Sequence, residues 1–251
     1  MLNSQQITEK LLHALNPLIS EGEDMLILHS ALSKLGFERG APYVDGLMEF
    51  LQALIDRGIT VVLPSFTFSF TKRKRFCLNH DPSETGILAD LARKHLQFSR
   101  SKNPMFSFSV KGPKEDEILL TRQDSGYGIG TAVSRLAAAD TTVVMLGANW
   151  NCCTIIHAIE ENLQVPYREY INWSYEIDFG DGAATRPFNL FVRKLDSNSI
   201  LRFDRIRGEL LQTGALRQST LNGLYIEAAN SGDIAEISEK RMRLDPYFFI
   251  E

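Results

Sequence analysis

Three features of the sequence predict an α/β domain of three layers, α/β/α, with helices on both faces of a mixed sheet. Short apolar runs at 25–28 (MLIL), 59–63 (ITVVL) and 141–146 (TTVVML) read as buried strands. Helical periodicities lie between them, as parallel strands require. Past residue 165 the pattern changes: 170–179 and 188–194 flank Gly180-Asp181-Gly182 and read as paired strands, which makes the sheet mixed.

Taken in order, Ile7, Leu11, Leu12, Leu15 and Leu18 give 5–20 the stripe of an amphipathic helix. Pro42 near its start and Gly58 at its end frame a second helix over 42–57, with Leu47, Phe50, Leu51, Leu54 and Ile55 on one face. Asp81-Pro82-Ser83-Glu84 reads as the start of a helix that runs through Leu88, Leu91 and His95. In 105–110, Phe106, Phe108 and Val110 alternate with Ser107 and Ser109, the signature of a half-buried strand. Thr131 can cap the helix after the glycine-rich loop. Residues 201–212 mix a strand end with a helix start, and the last helix, 234–244, stops before Pro246.

Composition narrows the function. With 251 residues, 44% of them hydrophobic, the chain can bury a large core, and one domain over residues 1–251 is expected. A net charge of −4 supplies no global basic field for nucleic acid. Three cysteines, two of them the adjacent Cys152 and Cys153, form neither a disulfide framework nor a spaced metal motif, so no metal and a reducing cytoplasm are expected. Neither a signal peptide nor a run of membrane-spanning length is visible, and no membrane partner is expected.

The stretch with most chemistry is 149–168, NWNCCTIIHAIEENLQVPYR. Helical spacing puts Ile155, Ile156, Ile159 and Leu163 on one side and Cys153, His157, Glu160, Glu161 and Gln164 on the other. Asn149 or Asn151 can cap this helix, and Val165 before Pro166 ends it. It follows a strand, so its start faces the crevice at strand carboxyl ends where open α/β sheets bind ligands. The first strand feeds into His29-Ser30-Ala31-Leu32-Ser33; Ser30 can cap a short helix there, ended by Gly36, whose free amides favour an anion. Ser65-Phe66-Thr67-Phe68-Ser69-Phe70 alternates hydroxyl and aromatic groups, which suits the wall of an apolar tunnel or a solvated edge. The run Lys72-Arg73-Lys74-Arg75 is either a solvated loop or a receiver of phosphates. In 123–131 the glycines could let backbone approach a ligand, and Asp124 is the carboxylate of interest.

Four blocks in this order, HSALSKLG (29–36), VVLPSFTF (61–68), DPSETGILADLARK (81–94) and NCCTIIHAIEENLQVPYR (151–168), together with the tail from Asp204 to LDPYFFI, resemble the aminoglycoside 3-N-acetyltransferase family. The resemblance implies acetyl-coenzyme A as co-substrate and an antibiotic N-acetyltransferase fold. That fold is distinct from the commoner acetyltransferase superfamily, whose Arg/Gln-x-x-Gly-x-Gly/Ala phosphate loop is absent here. It also implies His157 as catalytic histidine with Glu160 as acidic partner, and His29, Ser30, Ala31, Leu32, Ser33, Ser65 and Thr67 as the coenzyme A contacts. One departure stands out: the family's His-Pro-Thr-His-Ser segment is Asn103-Pro104-Met105-Phe106-Ser107 here, without either histidine.

Acetyl transfer to an amine needs a base, and an imidazole titrating near neutrality is suited to it. His157 is the expected base, oriented by Glu160 or Asp124, with backbone amides or the hydroxyls of Ser65 or Thr67 as oxyanion donors. Because a basic run repels polycations, the expected acceptor is a nucleotide-linked (UDP or dTDP) amino sugar of polysaccharide biosynthesis, with Arg73 and Arg75 on its phosphates. The alternatives are an aminoglycoside acceptor, a hydrolase built on Cys153, and a non-catalytic coenzyme A binder; a homodimer is left open.

Overall fold

In the computed structural model, which describes residues 2–194 and 200–251, the chain runs α1 (Ser4–Leu15), β1 (Met25–Ser30), α2 (Ala41–Asp56), β2 (Thr60–Pro64), α3 (Phe70–Arg73), β3 (Arg75–Cys77), α4 (Leu88–Leu96), β4 (Ser99–Arg100), β5 (Phe108–Lys111), α5 (Asp116–Leu119) and α6 (Ala132–Ala138). It continues through β6 (Thr142–Leu146), α7 (Ile156–Asn162), β7 (Arg168–Asp178), β8 (Ala184–Arg193), α8 (Arg205–Thr213), β9 (Arg217–Leu221), β10 (Leu224–Asn230) and α9 (Ser231–Leu244). A seven-stranded sheet has the order β4-β5-β2-β1-β6-β10-β9, and a separate three-stranded sheet the order β3-β7-β8. The centre, β2-β1-β6, is parallel, and antiparallel strands flank it on both sides.

Strand alternation sets the layers. Leu26 and Leu28, Val61 and Leu63, and Val144 and Leu146 face α1, α2 and α4 in one core. Ile27, Val62, Val143 and Met145 face the other way, against α6, α7, α8, α9 and the small sheet. The three-layer architecture with a mixed sheet is the one predicted, but β5 and β10 supply the antiparallel strands, whereas the paired strands expected to do so, β7 and β8, belong to the separate small sheet.

Several boundaries differ from those expected, each for a local reason. β1 continues through His29 and Ser30, and the turn at Leu32–Lys34 is a 3₁₀ turn preceded by Ala31 with no side-chain cap, so Ser30 caps nothing. The helix expected from 81 begins only at Leu88, because the Asp81 carboxylate accepts from the Cys77 amide and from Arg73, both at 2.8 Å, instead of capping. Asn103 Oδ1 accepts from the amides of Met105 (3.1 Å) and Phe106 (2.7 Å), holding a turn that delays β5 to Phe108. The β9–β10 hairpin, absent from the sequence reading, turns at Asn222-Gly223, both with positive φ (49° and 83°). No helix among the described residues is long and apolar enough to cross a membrane.

The single short helix expected between Asn149 or Asn151 and Val165 is really two pieces. Asn149 caps a 3₁₀ turn (Trp150–Cys152), accepting from the Asn151 amide at 3.1 Å, and α7 proper starts at Ile156. Gln164, with φ 51°, ends it ahead of Pro166. Nor is one side open for chemistry: Glu160 is fully buried and Glu161 nearly so.

Candidate active site

A cavity of about 640 Å³ opens at the carboxyl ends of β1 and β2 and under the segment after β6. Its walls are largely apolar: Leu28, Leu63, Phe66, Phe68, Met105 and Phe106 line it. Met105 and Phe106 occupy the segment where the family's histidines would stand, so there the wall is apolar.

His157 reaches this cavity from the first turn of α7. Its Nδ1 lies 2.6 Å from Glu160 Oε2. That same oxygen receives Arg168 Nη2 at 2.8 Å, while the Tyr167 hydroxyl donates to Glu160 Oε1 at 2.6 Å. Burial pushes the Glu160 carboxyl up, but Arg168, His157 and Tyr167 together outweigh it and hold the group below its ordinary range. Arg168 Nη2 also lies 3.0 Å from Nδ1, but an ionised Glu160 can only accept at the shorter 2.6 Å contact, so Nδ1 carries the imidazole proton, Arg168 donates to Glu160, and Nε2 keeps the free lone pair. Nε2 has no hydrogen-bond partner among the described residues.

Burial lowers the His157 pKa first, and the Arg168 charge lowers it further; Glu160 opposes both without reversing them. The imidazole is therefore neutral at pH 7. Tyr127 stacks on it at 4.5 Å between centroids, and Phe203 meets it edge-on at 4.8 Å. Two rings and a buried carboxylate thus fix one rotamer and one tautomer.

The remaining expected site residues separate into two groups. His29 and Ser30 line the cavity, and His29 Nε2 is sealed without a hydrogen-bond partner among the described residues. Burial pulls the His29 pKa down to about 4, so this ring too is neutral. Ala31, Leu32 and Ser33 lie past the strand end, outside the lining. Ser65 and Thr67 also lie outside the lining: Thr67 Oγ1 (2.8 Å) and the Ser65 carbonyl (2.6 Å) accept from Nη2 of the buried Arg100, and the Ser65 hydroxyl is buried with no hydrogen-bond partner among the described residues. Their neighbours Phe66 and Phe68 take the cavity side, so the expected alternation holds with the aromatic face inward.

Asp124 is bound to Arg122 at 2.5 Å, half exposed, and Glu160 is the carboxylate on His157. Arg73 pairs with Asp81 at 2.8 Å; neither it nor the exposed Arg75 lines the cavity. Cys153 is fully buried, its thiol pushed well up by burial, and it lies outside the lining, which removes the basis for a Cys153 hydrolase. Gly126 and Gly128 serve protein contacts: a Cβ at 126 would collide with Leu190, and one at 128 would stand 2.7 Å from Glu161 Oε1.

Sequence reasoning missed Tyr127, Tyr167, Arg168 and Phe203. Tyr167 and Arg168 had a signal, since they close the same block as His157, but Pro166 set them outside the helix on which the reading concentrated.

A neutral imidazole with one nitrogen held by a buried carboxylate and the other open to an apolar cavity is the apparatus of a general base for acyl transfer. The chain belongs to the aminoglycoside 3-N-acetyltransferase family, whose model matches residues 27–243. It is thus an acyltransferase that uses acetyl-coenzyme A. It is 27% identical over 194 residues, 67% of each chain, to the SPbeta prophage-derived aminoglycoside N(3′)-acetyltransferase-like protein YokD of Bacillus subtilis (strain 168). Its fold resembles AAC-IIIb in a binary complex with CoASH (TM-score 0.76, 20% identity, 97% of each chain covered). It also resembles AAC-VIa bound to sisomicin (TM-score 0.76, 17% identity, 97% of this chain and 98% of the other).

Proposed function

We propose that this protein acetylates an amine of an aminoglycoside-type amino sugar, with His157 as general base and Glu160 as the residue that orients it. The observation that carries the reading is the buried chain Arg168–Glu160–His157, which leaves Nε2 as the one ring nitrogen free to take a proton inside the cavity.

Acetyl-coenzyme A is a substrate here and supplies the acyl carbon and a thiolate leaving group. The apolar walls suit the pantetheine arm and the acetyl group, and shield the thioester from water. His157 Nε2 accepts a proton from the attacking nitrogen as the C–N bond forms, and the resulting imidazolium is stabilised by ionised Glu160. When the C–S bond breaks, the imidazolium returns that proton to the departing sulfur. Proton and charge balance within one residue.

An aminoglycoside acceptor is preferred over a nucleotide-linked sugar for two reasons. The chain's family and relatives carry aminoglycoside names, and the basic run that suggested a diphosphate has Arg73 tied to Asp81 and Arg75 outside the cavity. The test is thiol release from acetyl-coenzyme A with aminoglycosides such as kanamycin and, in parallel, UDP- and dTDP-linked amino sugars. Turnover with the aminoglycosides alone is expected. Turnover confined to the nucleotide sugars would overturn the acceptor assignment while leaving the base in place.

A further inference from the structure

With Ser65 and Thr67 outside the cavity lining, the oxyanion of acyl transfer falls to backbone amides or to another hydroxyl. Among the described residues, the hydroxyl side chains that line the cavity are Ser30, Thr85, Tyr127 and Thr154. Two of them are already spent: Thr85 donates to the Pro64 carbonyl at 2.9 Å, and Thr154 to the Cys152 carbonyl at 3.1 Å. Ser30 belongs to the end of β1, whereas Tyr127 lies on the base itself, its ring 4.5 Å from the imidazole between centroids and 24° from parallel to it. A phenol oxygen is a short extension of its ring, so this stack keeps it within the span of a substrate group that touches His157.

Tyr127 is only 5% exposed, and its hydroxyl makes no hydrogen bond with the described residues, yet that oxygen is not sealed. It opens into a cavity. Tyr127 borders two, the active one and another against α6 and α7, but the charge acting most strongly on the phenol is Arg168, which lines the active cavity alone. Burial pushes the phenol pKa well up, so the group stays protonated and can donate at neutral pH. Its loop is anchored on both sides: the Gly126 amide donates to the Asn189 carbonyl at 3.0 Å, and Asn103 Nδ2 to the Ser125 carbonyl at 2.8 Å. Phe106 packs against the ring at 4.6 Å between centroids. Phenylalanine would fill the same stack without placing a polar atom in this wall, so packing does not account for the hydroxyl.

We propose that Tyr127 is a catalytic residue whose hydroxyl faces the active cavity and donates a hydrogen bond to the thioester oxygen of acetyl-coenzyme A; this rests on the reading of that cavity as the site of acyl transfer. As the C–N bond forms, the carbonyl π pair moves onto oxygen, and the Tyr127 O–H stabilises the charge without giving up its proton. The pair returns to carbon as the C–S bond breaks. His157 moves the proton, and Tyr127 holds the charge.

The test is steady-state thiol release at pH 7.5 by the full chain carrying Tyr127→Phe, which keeps the ring and breaks no hydrogen bond of the fold. A fall in kcat of about 10²- to 10³-fold is expected. KM for acetyl-coenzyme A and for the aminoglycoside should stay within about threefold, because the donor acts on the developing oxyanion more than on the bound thioester. A fluorotyrosine at position 127, which keeps both ring and hydroxyl, should restore kcat to within about tenfold of the unaltered protein. Tyr127→Phe within about threefold of the unaltered kcat, a loss confined to KM, or a fluorotyrosine protein as slow as Tyr127→Phe overturns the proposal. An active Tyr127→Phe beside an inactive His157→Ala removes the donor and keeps the base. No thiol release by the unaltered protein with any acceptor overturns the acyl-transfer reading itself, and the donor with it.

Discussion

Glu160 and Glu161 are neighbours on one helix, both largely withdrawn from solvent, yet they are driven in opposite directions. Burial pushes each carboxyl up; at Glu160 a guanidinium, an imidazole and a phenol overcome it, whereas at Glu161 a distant Tyr170 hydroxyl and the charges of Arg122 and Arg168 do not. Burial alone thus does not decide what a carboxylate does. Its partners decide, and a carboxylate that its partners hold ionised can fix a histidine tautomer.

The largest effect should come from removing what Glu160 serves. His157→Ala is expected to lower acetyl transfer by about 10²- to 10⁴-fold, measured as thiol release at saturating acceptor; a loss under tenfold would mean that the proton leaves by another route. Next, Arg168→Met strips the cation from a fully buried carboxylate. That should cost about 3–5 kcal/mol in urea unfolding at pH 7.5, and a cost under about 1 kcal/mol would show that Glu160 does not depend on it. Glu160→Gln is subtler: it removes an influence that raises the His157 pKa, so the acid limb of kcat/KM, already below the ordinary histidine value of 6.5, should move to still lower pH.

The smallest effect separates the two carboxylates directly, through stability against pH. A Glu160 pKa held below its ordinary 4.5 means that its contribution is present above that value and is lost as pH falls toward the lowered one. A Glu161 pKa raised above 4.5 has the opposite sign: stability falls as pH rises from the ordinary value through the raised one. Glu161→Gln, which keeps a neutral side chain, should flatten that decline, and Glu160→Gln should flatten the loss on the acid side. Identical profiles for the two variants would erase the distinction.

Much of this was legible from residue order. The β-branched runs gave β1, β2 and β6, the broken periodicity past 165 gave the β7–β8 hairpin, and the His157-x-x-Glu160 spacing gave the central pair. Several of the misses share a physical cause, since they depend on contacts between segments far apart in sequence. Tyr127 and Phe203 reach His157 from loops 30 and 46 residues away. Thr67 looked like a ligand hydroxyl because nothing local revealed that Arg100 would claim its Oγ1, and nothing local showed that the Ser65 hydroxyl would be buried away from the cavity. The glycines at 126 and 128 looked like ligand contacts for the same reason, though they are pressed against Leu190 and Glu161. The β9–β10 turn was different: Asn222-Gly223 is a strong local hairpin signal that the reading passed over.

Arg168 is the first residue of β7, opposite Arg193 across the small sheet, and it also donates to the Phe191 carbonyl at 3.0 Å. One guanidinium therefore fastens the small sheet to the helix that carries the base. The His157–Glu160 pair lies on a seam between two pieces of architecture, so a molecule whose small sheet came loose would lose the alignment of His157 while its main sheet was still intact. The alignment of His157 thus doubles as a gauge of assembly.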